Sequence, residues 1–344
     1  MSGRVKGDEQ VLSVRDLGIR HGDVGLVSGV SFDLAPGERL GVIGESGSGK
    51  TLTALAAIGL LPPALAASGR VLIKGQDLYG ITERQRCILR GNAISMIFQE
   101  PMTALNPTMR VGRQIEEAIR VHRDVGRAAA RARAVELLER VEFTDPGRQA
   151  RAYPHELSGG QQQRVMLAMA VACDPAVILA DEPTTALDVT VQEQVLALMS
   201  RLVAEESSAL VLISHDLAVV SGMCERIMVM YGGRVVESGS TWQVLTAPRH
   251  PYTAALIATS ATLTLDSDRS RAVLPVIRGQ VPAAGAFPAG CPFRNRCDRA
   301  TAECSTMPPL TLTASSASAP AGLEGHLFAC YHPVASVPQA TEAP

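Results

Sequence analysis

A glycine-rich segment between an apolar stretch and a helical pattern constrains the fold of this chain more than any other feature. Residues 44–51 match the pattern G-x-x-x-x-G-K-[ST], and a chance match is rare because lysine occurs only three times among 344 residues. The glycines let backbone N–H groups converge on phosphate oxygens, and the following helix N-terminus adds its positive end. The segment therefore predicts a nucleotide-binding site made of Gly44, Glu45, Ser46, Gly47, Ser48, Gly49, Lys50 and Thr51.

The composition of the chain excludes several classes of protein. The chain carries 32 basic and 34 acidic residues, for a net charge of −2, and 46% of its residues are hydrophobic. These values exclude a generally disordered chain and a broadly basic nucleic-acid-binding protein. No apolar run approaches the roughly 18 residues that cross a bilayer, and the N-terminus lacks the apolar part of an export signal. We therefore expect a soluble, cytoplasmic protein.

Short apolar runs alternate with helical patterns through most of the chain. Five runs have the length and aliphatic content of strands in a sheet covered on both faces. They comprise residues 40–44, 94–98, 177–181, 210–214 and 227–231. Between them Val191, Val195, Leu198 and Leu202 recur at helical spacing. This alternation predicts an α/β domain.

Two parts of the chain interrupt this alternation. Residues 102–156 combine helical patterns with many arginines, which predicts a helical subdomain carried on the α/β body. After about residue 262 the chain is rich in Pro, Ser, Thr and Ala and loses its helical periodicity. We therefore expect a nucleotide-binding domain over residues 1–262 and a C-terminal extension over residues 263–344.

Two further motifs narrow the chemistry. An apolar strand ends at Asp181 and Glu182, where the first carboxylate suits a magnesium shell and the second can polarise an attacking water. Residues 157–161 place a serine and two glycines just before a helical stretch, which predicts a second anion-binding helix N-terminus. A simple turn with a helix cap is the alternative interpretation of this pentapeptide.

With these motifs in order, residues 10–260 resemble the ATP-binding subunit of ABC transporters. In this resemblance residues 44–51 are the Walker A loop, Asp181 and Glu182 are Walker B and the catalytic glutamate, and residues 185–188 are the D-loop. The implied fold class is α/β, a P-loop ABC ATPase cassette with a helical subdomain. A small irregular C-terminal extension with cysteines follows the cassette.

The same resemblance assigns roles to single residues. Gln99 corresponds to the Q-loop glutamine and His215 to the switch histidine, so catalysis is expected from Glu182, His215 and Gln99. ATP is the expected nucleotide, and its magnesium ion would be held by Thr51, Gln99 and Asp181. The signature motif comprises Leu157, Ser158, Gly159, Gly160 and Gln161, and its Ser158 and Gly160 would cap the γ-phosphate held by a partner subunit.

The resemblance also implies partners and a location. Two cassettes, identical or paralogous, would pair head to tail around ATP and drive two membrane permease subunits. An extracytoplasmic peptide-binding protein would contribute indirectly, and the chain would lie peripherally on the cytoplasmic face of the membrane. A soluble ABC ATPase acting on nucleic acid or ribosomes is the alternative. No nucleic acid is expected as a partner, because tandem cassettes, a long coiled-coil insertion and a basic surface are all missing from the sequence.

Two segments resemble the peptide-importer subfamily. Residues 99–107 read Gln-Glu-Pro-Met-Thr-Ala-Leu-Asn-Pro, and residues 249–253 read Arg-His-Pro-Tyr-Thr. Both are similar to segments of dipeptide and oligopeptide importers. Import of di- or oligopeptides is therefore the expected function, and nickel or another small solute is the alternative cargo.

One position departs from the family pattern. An aromatic residue usually stacks on adenine shortly before the Walker A loop, and the matching residue here is His21. An imidazole ring can stack, but it offers less area than a tyrosine ring. Arg20 takes this place if the alignment shifts by one residue.

Four cysteines mark the C-terminal extension: Cys291, Cys297, Cys304 and Cys330. In a cytosolic chain they predict a metal site rather than disulfides. The C-x₂-C pairs typical of zinc are missing, and the wider spacing suits an iron–sulfur cluster. The segment 290–297 also resembles the extension of peptide-importer ATPases, which implies a 4Fe–4S cluster. Zinc and free or disulfide-capable thiols are the alternatives, whereas Cys87, Cys173 and Cys224 are expected to be buried structural residues.

Overall fold

The computed structural model of the protein describes residues 10–99, 104–185, 187–261, 276–312 and 325–334. Within them the strands are β1 (Leu12–His21), β2 (Val24–Leu34), β3 (Arg39–Ile43), β4 (Leu65–Ile73), β5 (Gln76–Asp77), β6 (Ile94–Ile97), β7 (Val177–Asp181), β8 (Ala209–Ile213), β9 (Arg226–Tyr231), β10 (Arg234–Ser240), β11 (Thr311–Leu312) and β12 (Leu327–Phe328). The α-helices are α1 (Lys50–Ile58), α2 (Glu83–Leu89), α3 (Val111–His122), α4 (Arg127–Arg140), α5 (Pro146–Gln149), α6 (Gly159–Ala170), α7 (Val189–Glu205), α8 (Leu217–Met223), α9 (Thr241–Thr246) and α10 (Pro251–Ala261). Short 3₁₀ helices form at Pro154–Glu156, Arg294–Arg296 and Ala302–Ser305.

Five parallel strands form one side of the larger sheet, in the order β9-β3-β8-β7-β6, with β6 at its edge. They coincide with the five predicted apolar runs. Alternate residues of β7 enter two different hydrophobic cores: Ile178 and Ala180 contribute to one, and Val177 and Leu179 to the other. Because apolar side chains cover both faces, these strands read as continuous apolar runs.

The carboxyl ends of these parallel strands meet at one edge of the sheet. There β3 leads into residues 44–51, β6 leads towards Gln99, β7 ends at Asp181, and β8 leads to His215. Segments far apart in sequence are thereby brought to one place.

A smaller antiparallel sheet has the order β2-β1-β4-β5 and shares a hydrophobic core with α1. The five predicted strands do not include any of its members. The reason lies in β1, whose pairing with β2 shifts register between Val14 and Leu17 and again beyond Leu17. Asp16, within the first shift, has a left-handed backbone with φ of 46°. These bulges break the two-residue alternation by which a half-buried strand is recognised.

Helices α3 to α5 fall in the arginine-rich part of the chain. Helix α3 buries Val111, Ile115 and Ile119, and α4 buries Ala134 and Leu137. These side chains join the core that also holds apolar residues of α6 and α7. The helical part is therefore packed against α6, the helix that begins within residues 157–161.

The C-terminal extension joins the larger sheet through β12, which pairs antiparallel with β10. Glu237 of β10 is fully buried, and its carboxylate accepts hydrogen bonds from the N–H groups of Arg249 (2.7 Å) and His250 (2.8 Å). His326 Nε2 lies 2.6 Å from the same carboxylate. One buried acid thus ties the extension to the sheet and to the start of α10.

The expectation for the three cysteines outside the extension is correct for two of them. Cys173 and Cys224 are buried as expected, but Cys87 is exposed, because α2 is a short surface helix with no buried residue. Within the residues that the structure describes, no helix is both long enough and apolar enough to cross a membrane.

Candidate functional site

The glycine-rich loop makes a tight turn between β3 and α1. Gly47 and Gly49 have left-handed backbones, with φ of 77° and 95°. A Cβ atom on Gly44 would lie 2.1 Å from the carbonyl oxygen of Met230, so only glycine fits there. The turn aims the N-terminus of α1 into a cavity, which is the geometry of an anion-binding site.

Lys50 is the buried cation of this loop, with 6% of its surface exposed. Its Nζ donates hydrogen bonds to the carbonyl oxygens of Gly44 (2.7 Å) and Glu45 (3.0 Å). Burial lowers the pKa of Lys50, and the carboxylates of Glu182 and Asp181 act in the opposite direction. The ammonium is therefore poised beside the loop, where phosphate oxygens would be strong partners.

Asp181 and Thr51 bring two oxygen ligands together. The Thr51 hydroxyl donates a hydrogen bond of 3.2 Å to Asp181 Oδ1. Burial raises the pKa of Asp181, and the hydrogen bond from Thr51 works against that rise. A hydroxyl and a carboxylate fit Mg²⁺, which takes few protein ligands and completes its shell with waters and phosphate oxygens. Gln99, the third predicted ligand, also lines the cavity and can add an amide oxygen.

The Glu182 carboxylate contacts three polar side chains of the site. Its carboxylate accepts hydrogen bonds from Gln99 Nε2 (3.3 Å) and from the Thr185 hydroxyl (2.9 Å). His215 Nδ1 lies 3.3 Å from its other oxygen. The backbone of Glu182 is left-handed, with φ of 46°, a strained conformation for a residue other than glycine. Of the three residues predicted to act in catalysis, Gln99 and His215 therefore both contact Glu182.

A cavity of about 380 Å³ is lined by seven of the fifteen predicted nucleotide-binding residues. Gln99, Glu182 and the loop from Ser46 to Thr51 line it, together with Gly25, Leu26, Gly232, Ala284 and Phe287. His21 is not among these lining residues; it lies exposed at the end of β1. Arg20, the alternative, holds the following turn by donating a hydrogen bond to the carbonyl of Asp23 (2.9 Å).

The predicted signature residues also lie outside this cavity. Ser158 caps α6, because its Oγ accepts a hydrogen bond from the N–H of Gln161 (3.3 Å) and the Gln161 side chain accepts one in return. Ser158 and Gly159 are exposed. Gly160 packs so closely that a Cβ there would lie 2.5 Å from Val191 of α7. This helix N-terminus faces the surface rather than the chain's own glycine-rich loop.

Sequence analysis missed a group of residues that connects the C-terminal extension to the glycine-rich loop. Arg296 is 6% exposed in its side chain and forms an ion pair of 2.6 Å with Glu45. It also donates a hydrogen bond of 3.1 Å to the Tyr231 hydroxyl. The N–H of Glu45 donates to the Tyr252 hydroxyl (2.7 Å). The clustering of aromatic residues in a chain that has few of them was a signal for this group of contacts. The ion pair itself leaves no local pattern, because Arg296 and Glu45 lie 251 positions apart in the sequence.

The prediction of a 4Fe–4S cluster in the extension is wrong. In the described part of the chain, no group of three or more His, Cys, Asp or Glu side chains is placed to hold a metal ion. The zinc alternative fails on the same finding. The four cysteines do line one small space, but its volume is about 10 Å³, roughly enough for a single water molecule. They are Cys291, Cys297, Cys304 and Cys330.

The chemistry of these cysteines is that of thiols. Burial raises the pKa of Cys330 to about 11, and it raises the pKa of Cys291 and Cys297 as well. Cys291 and Cys304 pack in the hydrophobic core with Phe293, as small apolar side chains. All four are free cysteines, as in the third alternative.

Comparison with known protein families gives two matches. Residues 27–185 match the ABC transporter family, and residues 236–304 match the family described as oligopeptide/dipeptide transporter, C-terminal region. Neither family is described as containing an iron–sulfur cluster.

Curated relatives align over most of the chain. The probable D,D-dipeptide transport ATP-binding protein DdpD of Escherichia coli K12 is 46% identical over 293 residues, which cover 85% of this chain and 88% of that protein. The oligopeptide transport ATP-binding protein OppD of Salmonella typhimurium is 42% identical over 328 residues, or 94% of each chain.

Solved structures confirm the predicted cassette fold. The ATP-binding cassette MJ0796, solved as a dimer bound to ADP and Pi, superposes with a TM-score of 0.59 at 28% identity and covers 67% of this chain and 98% of its own. The fold, the order of the motifs at one edge of the sheet and both family matches agree. The chain therefore belongs to the ATP-binding subunits of ABC transporters that carry the oligopeptide/dipeptide transporter C-terminal region.

Proposed function

We propose that this chain hydrolyses ATP to power the import of di- or oligopeptides through two membrane permease subunits. The observation that carries the proposal is the contact of Glu182 with Gln99, Thr185 and His215 beside the loop that holds Lys50. The names of the relatives, dipeptide and oligopeptide transport ATP-binding proteins, favour peptides over nickel.

In this proposal the glycine-rich loop binds the phosphates. Backbone N–H groups at the start of α1 would donate to phosphate oxygens, and Lys50 would exchange its bonds to loop carbonyls for bonds to the β- and γ-phosphates. Thr51, Asp181 and Gln99 would hold magnesium. When bound, that ion neutralises charge on the phosphate oxygens.

Glu182 would then orient the attacking water and accept its proton. Its two oxygens are held by different partners, Thr185 and Gln99 on one and His215 on the other. These contacts fix the direction of the carboxylate without burying it completely, since 19% of the side chain is exposed. His215 is 69% exposed, which suits a residue that moves towards the γ-phosphate when the site closes.

A second cassette would complete the site. Ser158 and Gly159 are exposed and stand apart from the cavity of their own chain, so their helix N-terminus is free to approach the triphosphate held by another chain. The related MJ0796 cassette was solved as a dimer. Head-to-tail pairing would give each site residues from both chains, and closure would exclude water.

The permeases would dock beside Gln99. An apolar groove of about 270 Å³ lies between the central sheet and α6, lined by Met96, Phe98, Leu105, Met166 and Met169 among others. Phe98 is 40% exposed and directly precedes Gln99. A cytoplasmic segment of a permease in this groove would couple its movement to Gln99 and so to Glu182. The chain would then sit peripherally on the cytoplasmic face of the membrane, with the extracytoplasmic peptide-binding protein acting through the permeases.

Capture from native membranes tests the proposal. The affinity-tagged chain with Glu182→Gln is incubated with MgATP, and the bound proteins are identified by mass spectrometry. We expect to recover a second cassette and two apolar membrane subunits. Capture of ribosomal proteins or nucleic acid, with no membrane subunit, would contradict the proposal.

A further inference from the structure

The C-terminal extension reaches into the nucleotide cavity. Ala284 and Phe287 line this cavity together with residues of the glycine-rich loop, although almost 240 positions separate them from that loop in sequence. The remaining walls near them are Gly25 and Leu26 of β2 and Gly232 of the turn after β9.

Close contacts hold the Phe287 ring in place. A Cβ atom on Gly232 would lie 3.0 Å from two carbons of the Phe287 ring and 2.7 Å from Cβ of Pro292. The ring also meets Tyr231 edge to face, with centroids 5.9 Å apart. On the other side of the segment, a Cβ on Gly285 would lie 3.0 Å from Val24. Residues 284–287 are therefore wedged between the start of β2 and the turn at Gly232.

The cavity is lined by two chemically different groups of residues. Lys50, Thr51, Gln99 and Glu182 provide charge and hydrogen bonds, and Gly25, Leu26, Ala284 and Phe287 provide apolar surface. A nucleoside triphosphate has the same division between its phosphates and its base. His21, the aromatic position expected from sequence, is not part of the lining.

We propose that Phe287 contacts the nucleobase of the bound nucleotide, so that the C-terminal extension completes the ATP pocket. This rests on the proposed binding of phosphates by the glycine-rich loop. The base meets an aromatic ring supplied by the extension rather than by the strand before the loop.

The ion pair between Arg296 and Glu45 explains how the extension keeps this position. Arg296 also donates hydrogen bonds to the carbonyls of Arg278 (2.7 Å) and Gly279 (3.3 Å) within the extension. One buried guanidinium thus joins the extension to the loop that binds the phosphates. The base contact and the phosphate contacts are held at a fixed spacing.

Calorimetric titration with two ligands tests the proposal. Full-length chain with Glu182→Gln, which prevents turnover, is titrated with MgATP and with magnesium tripolyphosphate, which has no base. Phe287→Ala should raise the Kd for MgATP about tenfold, within the range of base–aromatic stacking, and leave the Kd for tripolyphosphate unchanged. Phe287→Tyr should restore the affinity for MgATP.

Tyr331→Ala is the matched control, because it removes an aromatic ring from the same extension at the cysteine-lined space instead of the nucleotide cavity. It should leave both Kd values unchanged. An unaltered Kd for MgATP in Phe287→Ala would overturn the inference, and so would an equal loss for both ligands, which would indicate a distorted loop. A large loss in His21→Ala with none in Phe287→Ala would assign the base contact to His21 instead. Failure of the chain with an intact Phe287 to bind either ligand would overturn the proposed function itself.

Discussion

Glu182 combines a strained backbone with three side-chain contacts, and this combination is informative about its role. A non-glycine residue at φ of 46° costs free energy, which the fold must supply through other interactions. The N–H of Glu182 donates to the carbonyl of Ile213 in the neighbouring strand, which fixes the backbone. The carboxylate consequently points to Gln99 and His215 instead of continuing the line of β7.

The change Glu182→Gln tests this role directly. The amide keeps the size of the side chain but cannot accept a proton from water, so ATP hydrolysis should fall at least about 100-fold while MgATP still binds. Phosphate release and equilibrium binding measure the two effects separately. Glu139→Gln, at an exposed position of α4, is the control and should leave both unchanged. Turnover at the normal rate in Glu182→Gln would exclude this carboxylate as the base.

At the scale of structural elements, direct contacts join the C-terminal extension to the glycine-rich loop. Four aromatic rings, those of Tyr231, Tyr252, Phe287 and Phe293, contact one another where β9, α10 and the extension meet. Arg296 lies over the rings of Tyr231 and Phe293 and reaches Glu45. A substitution in the extension should therefore alter the affinity for the nucleotide.

The Arg296–Glu45 ion pair should contribute to stability and to nucleotide binding together. Arg296→Gln leaves the Glu45 carboxylate, which is 23% exposed, without its charged partner, and should lower the free energy of unfolding by about 2 kcal/mol. Chemical denaturation measures this loss, and the affinity for MgATP should fall in parallel. Arg278→Gln is the control, because the Arg278 side chain is 78% exposed and its ion pair with Asp298 should contribute less than about 1 kcal/mol. Equal losses of stability and affinity in the two variants would contradict the idea that the Arg296–Glu45 ion pair holds the extension against the loop.

His250, at the start of α10, should make the fold sensitive to acid. Burial lowers the pKa of His250 to about 4, although the Glu237 carboxylate acts in the opposite direction. Below the ordinary pKa of about 6.5 the unfolded chain binds a proton that the folded chain refuses, so this contribution to stability is lost as pH falls from about 6.5 towards 4. Between pH 8 and pH 5 the loss should reach about 2 kcal/mol.

Denaturant titrations at both pH values measure this contribution. His250→Asn should remove this part of the pH dependence, and its side-chain oxygen can still accept a hydrogen bond from the N–H of Tyr252, as Nδ1 of His250 does at 3.1 Å. His155→Asn, at an exposed position, should keep the full dependence. The explanation fails if His250→Asn loses stability towards pH 5 as steeply as the unmodified chain.

For the whole molecule, the sequence predicts those features that are local in the chain. The parallel strands are short apolar runs, and their positions are predicted correctly. The loop with Lys50 is a contiguous motif, and it lies between a strand and a helix as its sequence predicts. The register shifts in β1 hid the antiparallel sheet, and the pairing of Glu45 with Arg296 depends on tertiary packing that no local pattern records. The cysteine spacing suggested a cluster, but spacing along the chain does not report the space between the sulfur atoms, which the fold fills with apolar packing.

Pairing of two chains can be tested by mixing two inactive variants. In a head-to-tail dimer, each site takes its loop from one chain and its signature helix from the other. Lys50→Ala spoils the loop and leaves Ser158 intact, whereas Ser158→Arg blocks an exposed helix N-terminus and leaves Lys50 intact. Each variant alone should therefore have almost no ATPase activity.

In an equal mixture, a dimer of one chain of each kind contains one site with two intact halves and one site with two damaged halves. Because about half of the dimers are mixed, activity should recover to about a quarter of that of the unmodified chain. It should also fall on dilution, since pairing is lost at low concentration. Two chains of the same variant, mixed at the same total concentration, are the control for recovery. If the mixture stays inactive while the unmodified chain alone hydrolyses ATP, Ser158 and Lys50 do not meet across two copies of this chain, and the composite site is excluded.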